Sequence, residues 1–257
     1  MRKVLSVGSL AALLWITGCG GSSSNNGGGG GGGSGNVAPI VVNGGPTGNY
    51  ANGVFASVNV CVPGTANCQT VPNVLLDTGS SGFRVLASQL NLSGLPQQTS
   101  GPNALWECAQ FADGFVWGPV KAADIKIAGE SAGNIPIQVI DDSGAPAFAA
   151  PTSCATGLTN ESSLSKLLAN GILGVGLARQ DCGACTSTGP HFYFACAAGT
   201  CNEVAMPVLA QQVQNPVWHF ATDNNGVLVQ LPALASAAPS VNGSLIFGIG
   251  TQSNNAL

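Results

Sequence analysis

The stretch Val74–Val85, VLLDTGSSGFRV, runs three apolar residues straight into Asp77 and then turns on Thr78, Gly79, Ser80, Ser81 and Gly82. A carboxylate presented at the end of a strand on a Gly/Ser turn has three readings. Asp and Gly are ordinary turn formers, so an Asx-turn is one. A metal ligand is the second, but no His or Asp cluster lies near Asp77 in sequence. The third is catalysis. Hydrolysing a peptide in mild acid without a metal needs a water deprotonated and a carbonyl protonated, and two carboxylates sharing one proton do both. Like charges so close do not both ionise, and their titrations split. That chemistry calls for no metal and no cofactor, and none is expected.

A dyad needs a second Asp-Thr/Ser-Gly. The other such tripeptide is Asp142-Ser143-Gly144 in VIDDSGAPAF. Ala-Pro follows it where Ser or Thr would be needed, and it reads as a turn after a strand. Ser80 and Ser81 have no evident His/Asp arrangement, which argues against a serine hydrolase. His191 and His219 each adjoin a phenylalanine and read as packed or rim histidines.

The elements that must position Asp77 read as short strands broken by turns. GVFASVNVCV alternates as a half-buried strand does. TVPNVLLD leads into the Asp turn. FVWGPVKAADIKIAG reads as a pair of strands around Gly118-Pro119, and NIPIQVID as another strand. Residues 161–170, ESSLSKLLAN, are the best short helix, with Asn160 as N-cap. GILGVGL follows it. MPVLAQQVQN reads as a second helical stretch, and VWHFAT, GVLVQLP and GSLIFGIG as late strands.

The 257 residues are 45% apolar, enough for one large domain or one two-lobed domain. Charged residues are 7% of the chain and the net charge is −4, which excludes a basic nucleic-acid footprint. Gly, Ser, Thr, Asn and Ala stand where surface charges usually do, as in an exported, turn-rich β protein.

Around Asp77 a resemblance accumulates. VLLDTGSSGFRV resembles the apolar-apolar-Asp-Thr-Gly-Ser-Ser segment of pepsin-like aspartic proteases, and three further segments follow in that family's order. FADGFVWGPVKAADIKIAG resembles the flap hairpin, with Phe111 where the flap tyrosine would be and Gly114 at the second tip glycine. NGILGVG resembles the segment whose apolar pair and glycine (here Ile172, Leu173 and Gly174) pack against the active-site loop. NGSLIFGIG resembles the segment that closes the N-terminal lobe. Together they cover about residues 48–251. The resemblance implies an all-β, pepsin-like N-terminal lobe over residues 37–257, binding peptide or protein in its cleft. Asp77 would be one half of the dyad. Gly79 would allow the tight turn, Thr78 would reach across to the matching loop of a second half, and Ser80 would donate to the outer oxygen of Asp77.

Two positions depart from the family. The flap tyrosine is Phe111, and the tryptophan expected seven residues after the Asp is Arg84. In the family those two side chains are hydrogen-bonded, so both ends of one interaction have changed. Either Arg84 stacks on Phe111, a cation–π contact of about 0.5–2 kcal/mol, or the site has drifted in a protein that no longer cleaves. With no partner for Asp77, the reading adopted is one piece of a two-lobed aspartic endopeptidase, inactive as a monomer of this chain. The alternatives are a homodimer, as in retroviral proteases, and a non-catalytic envelope protein binding extended peptides.

The N-terminus points to export. Arg2 and Lys3 precede the apolar VLSVGSLAALLW, too short for a comfortable permanent span. ITGC then resembles the lipobox of bacterial lipoproteins. That resemblance implies a signal peptide over residues 1–18, acylation of Cys19 and a membrane anchor. Gly20 in place of Asp leans towards the outer membrane. Residues 19–36 form a Gly/Ser linker with a reach on the order of 20 Å. The whole pattern is similar to an uncharacterised family of bacterial lipoproteins. The remaining eight cysteines, an even number, read as disulfides in an oxidising compartment. Cys61 and Cys68 would clip a hairpin. Cys182, Cys185, Cys196 and Cys201 would hold one loop with two bridges, leaving Cys108 with Cys154. A four-Cys zinc site is the rival for the cluster, disfavoured by that compartment.

Overall fold

The computed structural model describes residues 35–206 and 209–256, so Cys19 and the signal and most linker residues lie outside them. Val37–Asn43 forms β1, Gly53–Cys61 β2 and Cys68–Asp77 β3. In β2 the alternation is literal: Val58 and Val60 are buried, while Ser57 and Asn59 are exposed. β3 carries a bulge at Asn73, which has φ of 53°, a conformation Asn tolerates better than most residues. Ser81–Leu86 is β4, Thr99–Ser100 β5, Asn103–Gln110 β6 and Gly114–Ile127 β7. Glu130–Ile140 is β8, Thr152–Ala155 helix α1, Thr159–Asn160 β9, Leu164–Leu167 helix α2 and Gly171–Val175 β10. Tyr193–Ala197, Thr200–Glu203, Val227–Gln230 and Val241–Phe247 are β11 to β14.

Six strands close on themselves in the order β7-β8-β4-β10-β3-β2, with β2 pairing back to β7 through Asn59–Lys126 to Cys61–Asp124. The chain is thus an all-β protein built on a closed six-strand barrel. Its core is aliphatic, with Val58, Val71, Val85, Ile125, Ile137 and Leu173 among its buried residues. β1, β14 and β13 extend the sheet beyond β2, and β6, β11 and β12 extend it beyond β7.

Four expectations need correction. β7 is one 14-residue strand, not two. Its partner is β6 up to Pro119 and β8 from Val120, so the proline without an N–H sits where the strand changes partners. At Gly118 a Cβ would lie 2.0 Å from the Val139 carbonyl oxygen, so glycine marks a close crossing there and not a turn. The 161–170 helix shrinks to α2, because Asn160 belongs to β9 and its side chain accepts from Ser162 N in an Asx-turn. It ends on Leu168 at φ of 55°, turning the chain into β10. VWHFAT is no strand: Asn215 caps a 3₁₀ turn over Pro216–His219 by accepting from Val217 N at 3.1 Å. In MPVLAQQVQN the described helical part is a 3₁₀ turn, Leu209–Gln211.

The eight cysteines form Cys61–Cys68, Cys108–Cys154, Cys182–Cys185 and Cys196–Cys201: the hairpin clip, the Cys108–Cys154 bridge and two bridges within the cluster agree with the sequence, which left the partners inside the cluster open. Their sulfurs are therefore bonded to one another and do not ligate zinc. The first bridge joins directly opposed residues of β2 and β3, seven apart in sequence. Replacing both cysteines by serine is expected to cost about 2 kcal/mol from the loop entropy restored to the unfolded chain, measured by urea denaturation.

Candidate active site

The Asp77 turn is held from both sides by one strand. β10 lies between β3 and β4, parallel to the first and antiparallel to the second, so Gly174 pairs with Asp77 on one side and Gly82 on the other. Gly176 N donates to Ser80 O at 2.8 Å, tying the turn's far arm to the same strand. Gly79 N donates to Asp77 Oδ1 at 2.8 Å. Asp77 itself is half-buried, and Thr78 and Gly79 are exposed. One expected bond is not formed: Ser80 Oγ is buried without a hydrogen-bond partner and does not donate to Asp77. The backbone amide of Gly79 takes that role.

β6 and β7 form a hairpin over this turn, its tip closed by Phe111 N donating to Gly114 O at 2.8 Å. Gly114 is buried, and a Cβ there would meet Thr159 O and Glu161 Cγ at 2.6 Å, because β9 packs directly beneath the tip. Phe111 borders two open cavities. One, of about 490 Å³, is lined among others by Ser80, Arg84, Phe111, Leu177, Asp181 and Phe192. The other, of about 550 Å³, includes Tyr50, Asp77, Phe111, Asp113, Glu161 and Ile172. Turn and hairpin thus form the walls of a trough with Phe111 between its halves. The Asp77 half is electrostatically negative. Burial raises the Glu161 carboxyl above its usual range, and Asp113 raises it further, against Lys166. The Tyr50 hydroxyl is raised by burial and then by Asp113, Asp77 and Glu161.

Arg84 sits with its guanidinium carbon 5.7 Å from the Phe111 ring centroid, the stacking geometry anticipated from the sequence. Its stronger partners were missed. Arg84 is buried, and Nη2 donates to Glu107 Oε1 at 2.6 Å and to Asp181 Oδ2 at 2.7 Å, while Nη1 donates to Ser81 O at 3.0 Å. Tyr193 OH donates to Asp181 Oδ1 at 2.6 Å and accepts from Val213 N at 2.8 Å. Asp181 is pushed well above the usual carboxylate range, by burial first and then by Glu107. A signal for this cluster existed: in a chain with 7% charge, Glu107 stands inside the apolar strand segment ALWECA. A buried charge in such a strand needs a partner.

The other candidates lie apart. Ser88 N donates to Asp142 Oδ1 at 2.9 Å, and Asp141 accepts from Ser143 N and Oγ, so Asp142-Ser143-Gly144 is a turn as expected. His191 pairs with Glu203 at 2.9 Å, and His219 meets Gln214 at 3.1 Å. Among the described residues no group of three or more His, Cys, Asp or Glu could hold a metal, and no helix is long and apolar enough to cross a membrane. Four disulfides suggest an extracellular or periplasmic location.

No curated protein matches the sequence. A family model described as a protein of unknown function (DUF3443) matches residues 32–257, and because that match takes in most of the protein, the chain belongs to this family.

Proposed function

We propose that this protein is a lipid-anchored envelope protein of the aspartic-endopeptidase type, resembling a pepsin-like N-terminal lobe. Asp77 supplies one carboxylate of a water-activating pair, and an extended peptide lies in the trough beneath the hairpin. The observation that carries this reading is β10 threaded between the two arms of the Asp77 turn, which holds a carboxylate rigidly at the mouth of a trough. In this reading the second carboxylate comes from another lobe or a second copy, and the exposed Thr78 meets the matching turn. Phe111 and Gly114 cover the bound peptide and exclude water. Cys19 carries the acyl chains, anchoring the protein to the outer membrane of the envelope through the Gly/Ser tether.

The test is cleavage of a quenched peptide library between pH 3 and 7 by the protein purified from its own cells, over a range of protein concentrations. A statine-type inhibitor and Asp77→Asn serve as controls, and intact mass reads the acyl chains on Cys19. Cleavage at acid pH that both controls abolish supports the enzyme. A second reading is favoured by one observation: Ser80 Oγ has no partner and leaves Asp77 without the hydroxyl donor expected of a catalytic turn. In that reading the trough binds extended peptides without cutting them. Saturable peptide binding with no cleavage at any tested protein concentration selects it.

A further inference from the structure

The buried cluster beneath the trough has a charge count that does not balance. Arg84 on β4 brings one positive charge, while Glu107 on β6 and Asp181 bring two carboxylates. Their side chains are 2%, 0% and 3% exposed, with Arg84 and Asp181 only edging the first cavity, so little water reaches the excess charge. Burying a net charge is costly, and the usual remedy is a proton. Glu107 Oε2 is buried with no donor, and Arg84 Nε is buried with no acceptor. The groups facing Asp181 are Glu107 from β6, Arg84 from β4 and Tyr193 from β11. Gln138 of β8 adds a neutral contact, donating to Glu107 O at 2.8 Å.

These residues join the walls of the trough. Arg84 leaves the Asp77 turn and holds Ser81 O, Glu107 is on the hairpin, and Asp181 follows the Gly176–Ala178 segment that lines the first cavity. We infer that Arg84, Glu107 and Asp181 are positioning residues that pin the trough's walls to one another with one proton: the cluster stays closed while Asp181 holds that proton, and loosens when the proton leaves. The inference rests on the proposed function only in taking the trough as the ligand site.

The direction follows from linkage. The closed form binds a proton that an opened, hydrated cluster releases at the ordinary aspartate value. Closure is therefore complete in acid and weakens as pH rises from about 3.9 through the raised Asp181 titration, by about tenfold per pH unit within that window.

The test uses the full chain without any peptide, so it is independent of cleavage. Carbon-13 carboxyl NMR of labelled aspartate follows Asp181, assigned with Asp181→Asn. Amide exchange, corrected for intrinsic rates, follows Phe111 N, bonded to Gly114 O, and Asp181 N, bonded to Val213 O, with Phe247 N on β14 as the reference. The expected result is an Asp181 titration above the ordinary range. Protection at Phe111 and Asp181 falls about tenfold per pH unit across it, while Phe247 stays flat. Asp181→Asn and Glu107→Gln each remove the fall, and Glu107→Gln alone suffices if the other variant does not fold. An ordinary Asp181 titration, flat protection in the wild type, or a fall that survives Glu107→Gln overturns the inference. Peptide cleavage with flat protection would sink this inference and spare the proposed function; a proton-pinned hairpin with no cleavage by the protein purified from its own cells would do the reverse.

Discussion

Arg84→Ala should lower the free energy of unfolding by about 3–5 kcal/mol at neutral pH, the cost of removing one partner from a buried ion pair. The substitution strips two buried carboxyls of their cation at once and takes the donor from Ser81 O. It also removes the guanidinium from beside Phe111. The loss should depend on pH in a stated direction. Without Arg84 the buried Asp181 carboxyl loses the cation that favours its ionised form and is harder still to ionise in the folded protein, so folding binds a proton. Stability is then highest below the ordinary carboxylate range and falls as pH rises through the raised Asp181 value. Urea denaturation of wild type and variant at several pH values checks this, with a penalty that shrinks in acid. A variant replacing all three charges, Arg84→Met with Glu107→Gln and Asp181→Asn, should recover much of the loss, because no uncompensated charge remains. An Arg84→Ala penalty under about 1 kcal/mol, typical of surface pairs, would mean that water reaches the cluster.

What could be read in the sequence, and what could not, divides along the range of the interactions. β2, β3, β13 and β14 were legible because alternation and turn residues are local. Cys61–Cys68 was legible because its cysteines lie seven apart, and Cys108–Cys154 because the other four cluster within 182–201; which two pairs form inside that cluster was not legible, since its spacings allow more than one pairing. The contact of Arg84 with Phe111 was anticipated from two coordinated departures from a family pattern. Misread segments were those where tertiary contacts override a local preference. ESSLSKLLAN has good helix formers, but Asn160 is drawn into pairing beside the hairpin and Leu168 must turn into β10. Gly118-Pro119 looks like a turn in isolation and is instead the place where β7 exchanges partners. The Arg84–Glu107–Asp181 cluster joins residues 23 and 97 positions apart: Glu107 in its apolar strand signals that a partner is needed, but no local pattern says which residues supply it.

Gly174→Val should be the most damaging single change at the turn itself. A Cβ at position 174 would lie 2.8 Å from the Ser81 carbonyl carbon and 2.9 Å from Gly82 N and O. All three are backbone atoms, so no flexible side-chain tip can yield, and valine adds two further carbons. The cost is expected at or above the upper end of the 1–3 kcal/mol usual for overpacking. Position 174 pairs with Asp77 and Gly82 together, so the strain is relieved by spreading the arms that hold the carboxylate. A displacement of about 1 Å at a reacting group costs about 10²-fold in rate. The milder Gly174→Ala, if it folds, should therefore lose peptide binding or cleavage well beyond its loss of stability. Gly183→Ala is the control, because nothing lies within 4 Å of a Cβ there, and it should stay within about 0.5 kcal/mol of wild type. Denaturation midpoints and trough activity measured on all three variants separate the two effects. A Gly174→Ala protein that keeps both would show that β10 does not set the position of Asp77.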